Sequence, residues 1–120
     1  MKLLIVDDSK AMRMIVRRTL RQAGFDDHEV REAGDGIEAL KVMESYQPDL
    51  ILSDWNMPNL NGIDLLRKLR AQSNDVRFGF VTSEGTDEMR QVAMTAGARF
   101  LIAKPFDADT FKSIVGPVLV

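Results

Sequence analysis

Four apolar runs in this chain each end on residues able to do chemistry. Leu3-Leu4-Ile5-Val6 ends at Asp7-Asp8, Leu50-Ile51-Leu52 at Ser53-Asp54, Phe78-Gly79-Phe80-Val81 at Thr82, and Phe100-Leu101-Ile102-Ala103 at Lys104. If the fold gathers those ends, three carboxylates lie within a few ångströms of one another. Each close pair then costs about 4 kcal/mol at an effective dielectric of ~20. A proton, a lysine or a metal must offset that repulsion. Hard oxygen ligands with positions left for water suit Mg²⁺, which commonly takes one or two carboxylates together with a phosphate. Acids, an oxygen-binding cation, a lysine and a hydroxyl are what a phosphoryl group needs. Cation and ammonium neutralise its oxygens, Thr82 donates a hydrogen bond, and a carboxylate attacks in line.

Positioning such a set falls to strands and helices in alternation. Leu3 to Val6 is continuous and branched, as a strand covered on both faces should be. Asp8 or Ser9 caps the helix that follows, with Met12, Ile15, Val16, Leu20 and Ala23 at helical spacing and Gly24 as the stop. Glu29 to Ala33 reads as a polar edge strand. Asp35 caps a helix carrying Ile37, Leu40 and Met43, which Pro48 prevents from continuing. The third strand ends at Ser53-Asp54, residues 57–62 form a loop, and Ile63, Leu66 and Leu69 mark the third helix. The fourth strand ends at Thr82. Thr86 caps a helix with Met89, Val92, Ala93 and Ala96 at helical spacing. The fifth strand closes at Lys104-Pro105. The last helix starts near Asp107, buries Phe111, Ile114 and Val115, and meets Gly116-Pro117. Five strands alternating with five helices specify an α/β doubly wound parallel sheet with right-handed crossovers. We expect the order 2-1-3-4-5, because the second strand looks like an edge and the first looks central. In such sheets ligands bind beyond the strands' carboxyl ends, where Asp7, Asp8, Asp54, Thr82 and Lys104 all stand.

The bulk composition agrees. The 120 residues are the ordinary size of one domain, and 45% hydrophobic content supports a core. Cysteine is absent, which fits a reducing compartment. The net charge of −2 gives no support for direct nucleic-acid binding. The apolar start is too short for a signal sequence, and no apolar run approaches the ~20 residues that would insert in a bilayer. The expectation is a cytoplasmic, monomeric single domain spanning residues 1–120.

Asp7-Asp8-Ser9, Asp54-Trp55-Asn56-Met57-Pro58 with Gly62, Thr82-Ser83 and Lys104-Pro105-Phe106 together resemble the signature of two-component response regulator receiver domains, in order and at similar separations along essentially the whole chain. Residues 12–17 and 54–59 are especially similar to stand-alone, chemotaxis-type members. The family shares the flavodoxin-like strand order expected above. The resemblance implies that Asp54 is the phosphoacceptor and that a sensor histidine kinase is the phosphodonor. Asp7, Asp8, Asp54 and the backbone carbonyl of Asn56 would hold Mg²⁺, with Mn²⁺ able to substitute. Thr82 and Lys104 would contact the phosphoryl oxygens, and Lys104-Pro105 would be cis. Asn56 and Glu84 match positions that tune phosphate lifetime, and their pairing implies a short one. Family members are regulators that catalyse only their own phosphorylation and dephosphorylation. The downstream target, whether a flagellar motor switch, a kinase or a phosphatase, is not written in these residues.

One departure concerns switching. The family usually carries an aromatic residue three positions before the lysine, and that position is Leu101 here, with Phe100 one earlier. Side chains alternate along a strand, so Phe100 should face away from the usual switch position. Leu101 moves in its place, or the signal runs through the loop from Thr82 through Ser83 and Glu84 to Thr86. The apolar Val118-Leu119-Val120 end packs under the sheet's edge, makes a dimer contact, or precedes an output domain, with packing ranked first. Met12, Met43, Met89 and Met94 read as core, and His28 as exposed and idle. Arg13, Arg17, Arg18 and Arg21 read as the solvated outer side of the first helix, with docking as the sharper alternative. Trp55, beside Asp54, should report metal or phosphate by fluorescence. Other readings are a phosphorelay intermediary, a receiver cut from a larger regulator, a phosphatase of small metabolites and a mononucleotide binder. The phosphatase usually needs a second Asp where Asn56 stands; the mononucleotide binder needs a phosphate loop where Asp7-Asp8 stand.

Overall fold

A computed structural model describes residues 1–25 and 27–119. The elements run β1 (Lys2–Val6), α1 (Lys10–Gln22), β2 (Glu29–Ala33), α2 (Gly36–Val42), β3 (Leu50–Ser53), α3 (Gly62–Ala71), β4 (Arg77–Thr82), α4 (Asp87–Ala96), β5 (Phe100–Ala103) and α5 (Ala108–Val115), closed by a short 3-10 helix at Gly116–Val118. The strands form one sheet in the order β2-β1-β3-β4-β5, with every neighbouring pair parallel. This is the expected doubly wound order.

Strand alternation divides the core into two layers. Leu3, Ile5, Leu50, Leu52, Val81, Phe100 and Ile102 pack with Val16 and Leu20 of α1 and Phe111 and Val115 of α5. Leu4, Val6, Ile51, Phe78, Phe80 and Leu101 pack with Ala39 of α2, Leu65, Leu66 and Leu69 of α3, and Ala93 of α4. Phe100 and Leu101 therefore face opposite layers, as the alternation requires. Gly79 pairs with Phe100 across β4 and β5. A Cβ at Gly79 would fall 2.1 Å from the Phe100 ring, so the aromatic side chain fills the room the glycine leaves.

Four helix starts follow the expected caps, Ser9, Asp35, Thr86 and Asp107, and α3 adds one the sequence reading did not name, Asn61. Each side chain accepts a hydrogen bond from a backbone N–H in the first turn it precedes. Gly24 ends α1 at φ +89°.

Several positions differ from their sequence reading. Met94 is 49% exposed and Ile37 42% exposed, so neither is core. In the short α2 it is Ala39 that meets the sheet, while Leu40 and Met43 are half-buried against it. Val92 and Ile15 are also partly exposed, at 40% and 37%. His28 is neither exposed nor idle: its ring lies 6.2 Å from that of Phe25, and its Nδ1 stands 3.1 Å from the amino terminus. Tyr46 is buried, and its hydroxyl donates to the Leu3 carbonyl at 3.2 Å. At the C-terminal end Leu119 is buried with Val115, and Val118 packs against the same layer. That is the packing arrangement for residues 118 and 119; Val120 lies outside the described residues.

Candidate functional site

Backbone hydrogen bonds fix the strand ends beside one another. Asp54 N–H donates to Val6 O at 2.8 Å, Asp7 N–H to Ala33 O at 3.1 Å, and Lys104 N–H to Thr82 O at 2.7 Å. The result is a cluster in which one carboxylate oxygen from each of Asp7, Asp8 and Asp54 lies within 4.8 Å of the others. Lys104 Nζ reaches 3.3 Å from Asp7 Oδ2 and 3.7 Å from Asp54 Oδ2. The Lys104-Pro105 bond is cis.

The three acids differ in environment. Asp7 is buried, and its Oδ1 accepts the Ser9 N–H at 2.9 Å while Oδ2 faces Lys104. Asp8 is exposed, and among the described residues its carboxylate has no hydrogen-bond or ion-pair partner. Asp54 is half-buried; its Oδ1 accepts the Trp55 N–H at 2.7 Å, leaving Oδ2 turned toward Lys104. Burial pushes the Asp54 carboxyl above its ordinary range; the Asp7 and Asp8 charges add to that, and the Lys104 ammonium and the Trp55 N–H oppose it. One ammonium against three carboxylates leaves negative charge uncompensated. An all-oxygen ligand set with one acid open to water fits a hard divalent ion such as Mg²⁺.

The loop after β3 is braced from two sides. A Cβ at Gly62 would fall 2.1 Å from the Asp54 carbonyl oxygen, so only glycine lets α3 start this close to the phosphoacceptor candidate. Gly62 N–H donates to Trp55 O at 2.8 Å. Asn59, at φ +67°, donates from Nδ2 to Asp35 Oδ2 at 2.8 Å, and Gly36 N–H donates to Leu60 O at 3.1 Å. Trp55 packs on Phe80 with ring centroids 4.8 Å apart. Asn56 itself is exposed on this loop.

Thr82 is fully buried at the end of β4, and its Oγ1 accepts the Glu84 N–H at 3.2 Å, which leaves the hydroxyl proton available to donate. Ser83 and Glu84 are exposed on the loop that follows. Ser83 lines a shallow groove with Met12, Ile15, Lys104, Pro105 and Phe106. Gly85 lies over β5: a Cβ there would meet Ala103 Cβ at 2.8 Å and Leu101 Cδ2 at 3.5 Å. Arg90 of α4 donates to Leu101 O at 2.9 Å. Asp7, Asp8, Asp54 and Lys104 are thus gathered in one cluster. Thr82 ends the strand between β3 and β5, and Asn56, Ser83 and Glu84 rim the same end of the sheet.

The sequence reading missed the bracing pair Asp35 and Asn59, and it misplaced two arginines. Arg13 and Arg17 turn toward β2, where both bind Glu32. The signal available for them was the charged Glu32 within an edge strand.

The sequence matches the response regulator receiver domain family over residues 3–116. It is 38% identical over 122 residues to the chemotaxis protein CheY1 of Helicobacter pylori strain 26695, covering 99% of this chain and 97% of that protein. It is 41% identical over 114 residues to chemotaxis protein CheY-3 of Vibrio cholerae, covering 93% and 86%. In structure it is similar to the chemotaxis response regulator CheY4 of Vibrio cholerae, with a TM-score of 0.84, 35% identity and coverage of 98% and 97%. Sequence, strand order and acidic cluster agree, and the chain belongs to the response regulator receiver domain family.

Proposed function

We propose that this receiver takes a phosphoryl group onto Asp54 from the phosphohistidine of a sensor histidine kinase, in a divalent-cation-dependent reaction, and signals in a chemotaxis-type pathway through an altered surface. The observation that carries this reading is the meeting of three carboxylates with the Lys104 ammonium at one end of the sheet. A carboxylate oxygen of Asp54 forms the new bond to phosphorus as the bond to the imidazole nitrogen breaks, and the imidazole leaves with the electron pair. The Trp55 N–H holds the other oxygen in place. Lys104 neutralises phosphoryl oxygens, and Thr82 donates its hydroxyl proton to one of them. Asp7, Asp8, Asp54 and the Asn56 carbonyl are the groups that would hold Mg²⁺, with Mn²⁺ able to substitute; bound there, the ion offsets the acids' repulsion and the charge on the phosphoryl oxygens.

On this reading residues 1–120 act as one cytoplasmic receiver domain, monomeric and without nucleic-acid binding of its own. Among the described residues no helix is long and apolar enough to cross a membrane. Asn56 and Glu84 rim the path of the hydrolytic water, so the phosphate is short-lived; a half-life of many hours for the purified phosphoprotein would contradict this. Phosphorylation draws on Thr82, and the shift passes through the loop of Ser83, Glu84 and Gly85, which rests on Ala103 and Leu101. Phe100, on the other layer, takes no part.

Trp55 provides the test. Mg²⁺ titration should change its fluorescence saturably, and acetyl phosphate added afterwards should change it again. Asp54→Asn should lose the second change. An indifferent Trp55 signal in the wild type, or an acetyl phosphate response surviving in Asp54→Asn, would refute the reading.

A further inference from the structure

Arg13 belongs to α1 by sequence and to the acidic cluster by contact. Its Nη1 donates to the Asp7 carbonyl oxygen at 2.5 Å, and its Nε donates to Glu32 Oε1 at 2.8 Å. The carbonyl of Asp7 is half of the peptide joining Asp7 to Asp8, so the guanidinium sets the plane from which the Asp8 side chain departs. Asp8 has no side-chain partner of its own among the described residues, and its carboxylate has only the backbone to place it. Glu32 in turn accepts Arg17 Nε through Oε2 at 2.5 Å, and Arg17 Nη2 donates to Val30 O at 3.0 Å. The Arg13 side chain is only 18% exposed. An arginine suits this place because its planar fork serves two acceptors in fixed directions, which one ammonium cannot do.

We infer that Arg13 is a positioning residue for the divalent-cation site: anchored on β2 by Glu32, it fixes the Asp7–Asp8 peptide and through it the Asp8 carboxylate. This rests on the reading of the acidic cluster as a cation site. Charge and positioning predict opposite signs here. Arg13 is a cation near an anionic cluster, so removing it on Coulombic grounds alone strengthens cation binding. Removing an anchor behind a ligand weakens it, and outer-shell partners of metal ligands typically matter by roughly 10–100-fold. Arg17 supplies the control, because it binds the same Glu32 without touching Asp7.

Isothermal titration with Mn²⁺ alone, beside thermal melts, decides it. Arg13→Ala should bind Mn²⁺ on the order of tenfold more weakly than wild type. Arg13→Lys, which keeps the charge and the helix, should also lose affinity. Arg17→Ala should lower the melting temperature comparably and leave Mn²⁺ affinity near that of wild type. Wild-type affinity in both Arg13 variants, tighter binding in Arg13→Ala, or an equal loss in Arg17→Ala would overturn the inference while leaving the cation site standing. Absence of Mn²⁺ binding by the wild type would remove the site and this inference together. Should Arg13→Ala fail to fold, the Mn²⁺ affinities of Arg13→Lys and Arg17→Ala decide between the same outcomes.

Discussion

Asp54 is the residue on which stability and chemistry pull apart. Its carboxyl is pushed up by burial, with Asp7 and Asp8 adding and Lys104 opposing. A folded pKa above the unfolded value means that the native state binds the extra proton. The stability this group contributes is fully present below its ordinary value of 3.8 and is lost as pH rises through the raised one. At neutral pH without metal, ionised Asp54 therefore opposes folding. Asp54→Asn should raise metal-free stability, and Tm with it, with the gain shrinking in Mg²⁺ as the wild type is stabilised by binding. Melts in chelator and in Mg²⁺ check this; an Asn variant less stable than wild type in chelator would contradict it. Tyr46 has the opposite use. Burial pushes its phenol up to about 12, so its stabilising contribution holds below pH 10 and is lost as pH rises toward that value. Tyr46→Phe should cost about 1 kcal/mol at neutral pH and remove part of the alkaline loss, as urea titrations at neutral and alkaline pH would show.

Elements were legible where local physics and tertiary packing agree. Apolar runs bounded by capping residues marked β1, β3, β4 and β5, and the caps at Ser9, Asp35, Thr86 and Asp107 stand where side-chain chemistry placed them. Helical spacing told less about which apolar residue meets the sheet. In the short α2, Ala39 takes the fully buried position with Leu40 and Met43 half-buried beside it, and Ile37 is left outside. Met94 shows the same limit in α4, where Ala93 takes the buried position. Arg13 was illegible for a different reason: periodicity gives the side of a helix but not the strand edge beside it. Bracing between elements is open to mutation. Asp35→Ala removes the α2 cap and the Asn59 bond together, and should cost about 1–2 kcal/mol and slow phosphorylation from acetyl phosphate. Gly79→Ala puts a Cβ into the Phe100 ring and should cost about 1–3 kcal/mol, with part of the loss recovered by adding Phe100→Leu. An additive double mutant in denaturant titrations would mean that ring and glycine do not share the space.

At the scale of the whole molecule, one property of the sheet explains where the site lies. Parallel strands send every carboxyl end to the same edge, so chain order alone collected Asp7, Asp8, Asp54, Thr82 and Lys104 before any distance was known. What sequence could not supply was the pairing within the cluster: Lys104 between Asp7 and Asp54, Asp8 without a partner among the described residues, and β2 tied to the site by Arg13. On the proposed reading, phosphorus reaches Asp54 and no other of these acids. Intact-mass measurement after incubation with phosphoramidate, with Mg²⁺ or with chelator, tests that directly. The wild type should gain a single base-labile phosphoryl adduct only when Mg²⁺ is present, and Asp54→Asn should gain none. An unmodified wild-type mass in Mg²⁺, or an adduct that survives the Asp54→Asn substitution, would contradict it.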